Sequence, residues 1–165
     1  MLSPLVSPIL ETRRAAWPDE GACAATAGHL ARRPALHDAF VELHGPLGAG
    51  KTTFARHLLH ALGVDGPIKS PTYALLEPYR ASEAAGGFAI AHCDFYRFDD
   101  PAEWEDAGFR DVFASPGLKL VEWPEKAAGL LPRADLRISI APSERSDARS
   151  VRFEALSEAG LELLP

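Results

Sequence analysis

The sequence predicts an α/β fold, a mixed sheet with few flanking helices in a single compact domain. Three observations carry this reading. Residues 39–44 (Ala-Phe-Val-Glu-Leu-His) form a short, mostly apolar run that ends in a glycine-rich turn, and the turn opens directly into a helical pattern. Further short apolar or alternating segments follow, joined by connections that leave room for few crossover helices. A length of 165 residues with 47% hydrophobic content suits one core and one domain.

In chain order, residues 1–16 contain Pro4 and Pro8, with Pro18 nearby, and no basic leader. They read as a loose N-terminal tail without a secretory signal, which leaves residues 17–165 as the domain. Asp19 to Arg32 is alanine-rich and helical, with Trp17-Pro18-Asp19-Glu20 as its start signal. After the glycine-rich turn, Phe54, Leu58, Leu59 and Leu62 recur at helical spacing over residues 53–62, and Gly63 ends the helix. Residues 64–70 read as a linker. Residues 72–79 and 88–94 read as two strands, with 82–87 suiting an antiparallel connection. Asp99 to Glu103 places acids and Pro101 in a first helical turn. Leu118 to Glu122 is a short core strand. Residues 136–140 and 151–155 alternate as half-exposed strands, and 141–150 between them reads as a loop. No internal repeat or low-complexity tract is present.

The glycine-rich turn carries the chemistry. Gly45-Pro46-Leu47-Gly48-Ala49-Gly50-Lys51-Thr52 is a complete match to the phosphate-binding loop pattern G-x-x-x-x-G-K-[ST]. Gly45, Gly48 and Gly50 let the backbone turn its N–H groups inward as an anion nest. Lys51 supplies a point charge for the β- and γ-phosphate oxygens, and the Thr52 hydroxyl is suited to Mg²⁺. Strand, loop and helix in that order aim a helix N-terminus at a phosphate. The fold class narrows to a P-loop NTPase-like mixed sheet. The nucleotide-binding set is Gly45, Gly48, Ala49, Gly50, Lys51, Thr52 and Thr53, with ATP or ADP and Mg²⁺ as ligands. Such a loop needs an acid at the end of a neighbouring strand. Glu122 and Asp94 both end apolar strands, so one can serve the metal while the other organises or deprotonates water.

Composition removes other functions. The net charge is −6, with 13 arginines and four lysines, which argues against a broad nucleic-acid footprint and against DNA as a partner. The chain has no asparagine and no glutamine. It therefore lacks the glutamine that positions water in Ras-like GTPases and the asparagine of an N-K-x-D guanine reader. No run of 18 apolar residues occurs, so no membrane helix is expected. Cys23 and Cys93 lack metal-ligand spacing and read as buried thiols in a reducing, cytoplasmic setting.

Four blocks occur in order: Leu47 to Phe54, Lys69-Ser70-Pro71-Thr72-Tyr73, His92-Cys93-Asp94-Phe95-Tyr96-Arg97 and Val121-Glu122-Trp123-Pro124-Glu125. Together they resemble the bacterial TsaE (YjeE) family of small ATPases over about residues 17–160. The resemblance implies a role in forming threonylcarbamoyladenosine in tRNAs that read codons beginning with A. It implies ATP binding and hydrolysis while docked on the TsaB and TsaD proteins, with tRNA met indirectly through that complex. It assigns Lys51 to phosphate, Thr52 and Glu122 to Mg²⁺, and Asp94 to hydrolysis. Residues 70–73 resemble a switch segment that responds to the γ-phosphate, which gives Thr72 a supporting role. Trp123 stands beside the metal acid, as a neighbour of the nucleotide, an anchor for a partner, or a core tryptophan closing a strand end.

Two positions depart from the family pattern. Pro46 stands where the family usually has Asp. A threonine of the first helix that lies near the nucleotide in the family falls on Cys23 here, with Thr26 a turn later, and either residue could make that contact. With no clear arginine finger among Arg56, Arg80, Arg97 and Arg110, a weak ATPase completed or gated by partners is expected. The alternatives are a nucleoside or nucleotide kinase and a non-hydrolysing, ATP-dependent assembly switch.

Overall fold

The structure, a computed structural model, describes residues 8–165. Its frame is one seven-stranded sheet in the order β1-β7-β6-β2-β5-β4-β3. The strands are β1 (Glu11–Trp17), β2 (Phe40–His44), β3 (Leu76–Arg80), β4 (Ala89–Asp94), β5 (Leu118–Glu122), β6 (Leu136–Pro142) and β7 (Arg149–Ala155). The central four, β6-β2-β5-β4, run parallel, and antiparallel strands extend the sheet at both sides. The parallel centre is the buried part, as both its faces must be covered.

Side-chain alternation divides the core between two faces. Val41, Leu43, Leu118 and Leu120 point towards α1 (Glu20–Ala31) and α2 (Lys51–Ala61) and pack with Phe54, Leu58 and Leu59. Trp17 stacks on Phe54 there, with ring centroids 5.5 Å apart. Phe40, Cys93 and Val121 face the other way, into an aromatic cluster of Phe95, Phe98, Trp104 and Phe109. That cluster is carried by α3 (Pro101–Asp106), α4 (Phe109–Ala114) and the turn before them. A last short helix, α5 (Glu158–Leu163), returns against β6 and β7. Asp19 caps α1 by accepting from the Ala22 N–H at 2.9 Å. Both cysteines are buried and free. Among the described residues, no helix is long and apolar enough to cross a membrane.

The structure departs from the sequence-based expectations at several places. The tail expected over residues 1–16 gives way to strand β1 from Glu11, which pairs residue by residue with β7; residues 1–7 lie outside the described part. The strand is held by its backbone ladder and by buried Trp17 at its end, while most of its side chains are exposed, so no apolar pattern announces it. The strand expected over 72–79 starts at Leu76, because residues 71–75 turn, with the Leu75 N–H donating to the Pro71 carbonyl at 2.7 Å. Helix α2 starts at Lys51, directly behind Gly50. Helices α4 and α5 were not anticipated; both are short, and α5 is fixed by Ser157, whose hydroxyl accepts from the Gly160 N–H.

Candidate nucleotide site

The phosphate-binding loop joins central strand β2 to α2. Gly45 has φ +148°, and a Cβ there would lie 2.5 Å from the Ile140 carbonyl oxygen of β6. Gly48 and Gly50 lie in the left-handed region that favours glycine, and Gly50 leads straight into the helix. The Lys51 ammonium folds back on the loop. It donates to the Gly45 carbonyl and, at 3.3 Å, to the Pro46 carbonyl, and it sits 3.9 Å above the Trp123 ring. Burial pulls the Lys51 pKa down, and the carboxylates of Glu122, Glu125 and Asp94 partly oppose this.

Both candidate acids end strands beside this loop. Glu122 closes β5 and Asp94 closes β4, and the two are partners in the parallel register. One Glu122 oxygen, Oε1, accepts from the Thr52 hydroxyl at 2.7 Å. The other, Oε2, is 2.7 Å from His92 Nε2. Asp94 accepts from the Tyr96 N–H at 2.9 Å on Oδ1 and from the Thr72 hydroxyl at 3.1 Å on Oδ2. Thr72 in turn meets the Ser70 hydroxyl at 2.8 Å. Desolvation raises the Asp94 pKa; the Tyr96 N–H lowers it, Glu122 raises it, and Thr72 and His92 lower it.

A cavity of about 330 Å³ is lined by Gly48, Ala49, Gly50, Lys51, Thr52, Thr53, Thr72, Asp94, Glu122 and Trp123, with Pro46, Leu47 and Tyr96. Of the phosphate-loop, metal and acid residues expected from the sequence, with Thr72 of the switch segment, only Gly45 is not among its lining residues, and the Gly45 carbonyl accepts from Lys51. A second cavity of about 320 Å³ lies beyond Ala49, Gly50 and Thr53, which it shares with the first. Trp17, Asp19, Glu20, Cys23 and Arg149 are among its other walls. Of the two residues left open on the first helix, Cys23 lines this cavity. Thr26 accepts from the Trp17 indole N–H at 3.0 Å instead.

Sequence reasoning missed two contributors. His92 had a readable signal, since strand periodicity puts it on the same face as Asp94. Arg149 had none. It stands at the start of β7, a hundred residues from the loop it holds, and its Nε donates to the Ala49 carbonyl at 2.8 Å. Arg97, one of the arginines weighed for a finger, engages Tyr73 instead, its Nη2 donating to the phenol oxygen at 3.1 Å.

The central parallel strands, the glycine loop at the end of β2 and the two strand-end acids define an α/β protein of the P-loop class. The chain belongs to the TsaE family. The family model described as "Threonylcarbamoyl adenosine biosynthesis protein TsaE" matches residues 17–151. The tRNA threonylcarbamoyladenosine biosynthesis protein TsaE of Haemophilus influenzae is 42% identical over 124 residues, covering 75% of this chain and 75% of that protein. Its namesake from Bacillus subtilis is 36% identical over 114 residues, covering 69% and 68%. The crystal structure of Bacillus subtilis YdiB superposes with a TM-score of 0.74 at 25% identity, over 95% of this chain and 94% of that one.

Proposed function

We propose that this chain is a weak Mg²⁺-dependent ATPase that serves threonylcarbamoyladenosine formation in tRNAs reading codons beginning with A. It acts docked on the TsaB–TsaD complex, in the cytoplasm, and meets tRNA through that complex. The relatives' names support the pathway. The observation that carries the chemistry is the Thr52–Glu122 bond of 2.7 Å beside Lys51 and Asp94, all on the wall of one cavity.

The triphosphate lies along the loop, with the β-phosphate against the N–H groups of residues 48–52 and the α2 N-terminus. The base and ribose extend into the cavity beyond Thr53, between Trp17 and Arg149. Lys51 leaves the Gly45 and Pro46 carbonyls for the β- and γ-oxygens, whose negative charge favours its ammonium form. Thr52 and Glu122 offer a hydroxyl and a carboxylate at one point, which are hard oxygen donors suited to Mg²⁺. Bound there, the cation would offset the negative charge of the phosphate oxygens. Asp94 orients the attacking water and accepts its proton, a task helped by the upward pKa shift that desolvation gives it. Thr72 holds the second Asp94 oxygen and links the acid to the 70–73 segment, which senses the γ-phosphate.

Phosphate release from ATP, measured with the chain alone and then with TsaB, TsaD and tRNA, tests this reading. Stimulation by the partners is expected, and Asp94→Ala should lower turnover by about 100-fold or more. Lys51→Ala should abolish it. Tight ATP binding with no release under either condition would favour an assembly switch, and transfer to a metabolite would favour a kinase.

A further inference from the structure

His92 lies on β4 two residues before Asp94 and is fully buried. Its Nε2 is 2.7 Å from Glu122 Oε2, and a carboxylate only accepts, so Nε2 carries the proton. The Glu122 carboxylate is therefore held by one bond per oxygen, His92 on Oε2 and Thr52 on Oε1. The other ring nitrogen, Nδ1, is buried and has no hydrogen-bond partner among the described residues. A leucine or phenylalanine on this inward face would fill the space without carrying an unpartnered nitrogen of its own. What the imidazole supplies, and an apolar side chain cannot, is the bond to Glu122.

We propose that His92 is a positioning residue for the metal, fixing Glu122 through Oε2 so that Oε1 stays aimed at Thr52 and the cation between them. The inference rests on the reading of Thr52 and Glu122 as the Mg²⁺ residues and adds the residue that orients them. When Thr52 turns its oxygen to a cation, the Thr52–Glu122 bond no longer restrains the carboxylate, and the bond from His92 is the one that remains. Donors that orient a metal ligand from behind typically change metal affinity by about 10- to 100-fold.

The test uses Mn²⁺ as a paramagnetic probe, titrated by electron paramagnetic resonance into the full chain saturated with ADP. Alongside, ADP affinity is measured in EDTA. In His92→Phe, Mn²⁺ affinity should fall by about 10- to 100-fold while metal-free ADP binding keeps its wild-type value. His92→Gln, whose amide N–H can reach the same oxygen, should regain most of the loss. Wild-type Mn²⁺ affinity in His92→Phe, or an equal loss of metal-free ADP binding, would overturn the proposal. Absence of Mn²⁺ binding by the wild-type ADP complex would instead remove the metal reading on which it stands. Should His92→Phe not fold, ¹⁵N shifts of the wild-type ring decide the matter. Nε2 protonated and Nδ1 bare, unchanged between ADP and Mg²⁺·ADP, is the expected result; a ring that leaves Glu122 on metal addition refutes it.

Discussion

Asp94 and Glu122 are cross-strand partners at the last positions of parallel strands β4 and β5, so two carboxyl groups open onto one cavity. Their surroundings separate them. Glu122 is engaged on both oxygens by Thr52 and His92, whereas Asp94 receives a backbone N–H and the hydroxyl of a surface segment. The first arrangement suits a fixed ligand. The second ties the acid to the 70–73 segment through Thr72.

Burial sets the sign of a pH effect at Asp94. Its folded pKa lies above the unfolded one, with desolvation as the main cause. Between the two values the folded state binds the additional proton. This group's contribution to stability is complete below the unfolded pKa and is lost as pH rises through the folded pKa. Asp94→Asn, which keeps the shape without the charge, should melt at a higher temperature than wild type at neutral pH. The gap should close in acid. Thermal melts of both proteins across that range check this; a variant less stable at neutral pH would mean that the Thr72 and Tyr96 bonds outweigh desolvation.

The loop, its strand and its helix were legible because their signal is local: glycines, lysine and threonine at fixed spacing, then apolar residues at helical period. Asp94 and Glu122 were legible as acids ending apolar runs. What escaped the sequence depends on pairing between distant segments. Strand β1 has an exposed, charged pattern and exists because β7 offers it a backbone edge. The turn at residues 71–75 overrides a strand-like composition by bringing Thr72 to Asp94, with Leu75 at φ +66°. The Glu122–His92 bond and the Arg149–Ala49 bond are set by strand order, which spacing along the chain does not encode.

Two glycine substitutions separate strain from collision in the loop. Gly48 has φ +79° and open space around a would-be Cβ, so Gly48→Ala carries the left-handed penalty alone, about 1–2 kcal/mol. Gly45→Ala adds a contact of 2.5 Å with the Ile140 carbonyl, where backbone has to move. It should therefore be the more destabilising of the two in urea denaturation, and it should weaken ADP binding as well. Equal stability of the two variants would count against the tight seating of the loop on β6.

Phe95 joins the acid to the core. It is fully buried and meets the rings of Phe98, Trp104 and Phe109 at centroid distances of 5.6, 6.0 and 5.2 Å. Phe95→Ala should cost about 3–5 kcal/mol in equilibrium unfolding. The Phe95 N–H still donates to the Glu122 carbonyl, so nucleotide binding by the folded fraction should survive. Full loss of binding at a temperature where the variant remains folded would show that the aromatic cluster shapes the site directly.

Arg149 gives the last prediction, because its geometry distinguishes a guanidinium from a simple charge. Nε donates to the Ala49 carbonyl at 2.8 Å, while Nη1 reaches the carbonyls of Asp147 at 2.6 Å and Ala148 at 3.1 Å. One planar group thus ties the phosphate-binding loop to the turn between β6 and β7. A lysine keeps the charge but not the fixed fork, so it can satisfy the turn or the loop and not both. Loss of a charged hydrogen bond of this kind is worth about 1.5–3 kcal/mol. Arg149→Lys should therefore weaken metal-free ADP binding by about tenfold or more, since 1.4 kcal/mol is a factor of ten. Calorimetric titration with ADP measures it. Both residues also border the cavity beyond Thr53. An ADP affinity equal to wild type would mean that the backbone of residues 45–50 holds its nest without help from β7.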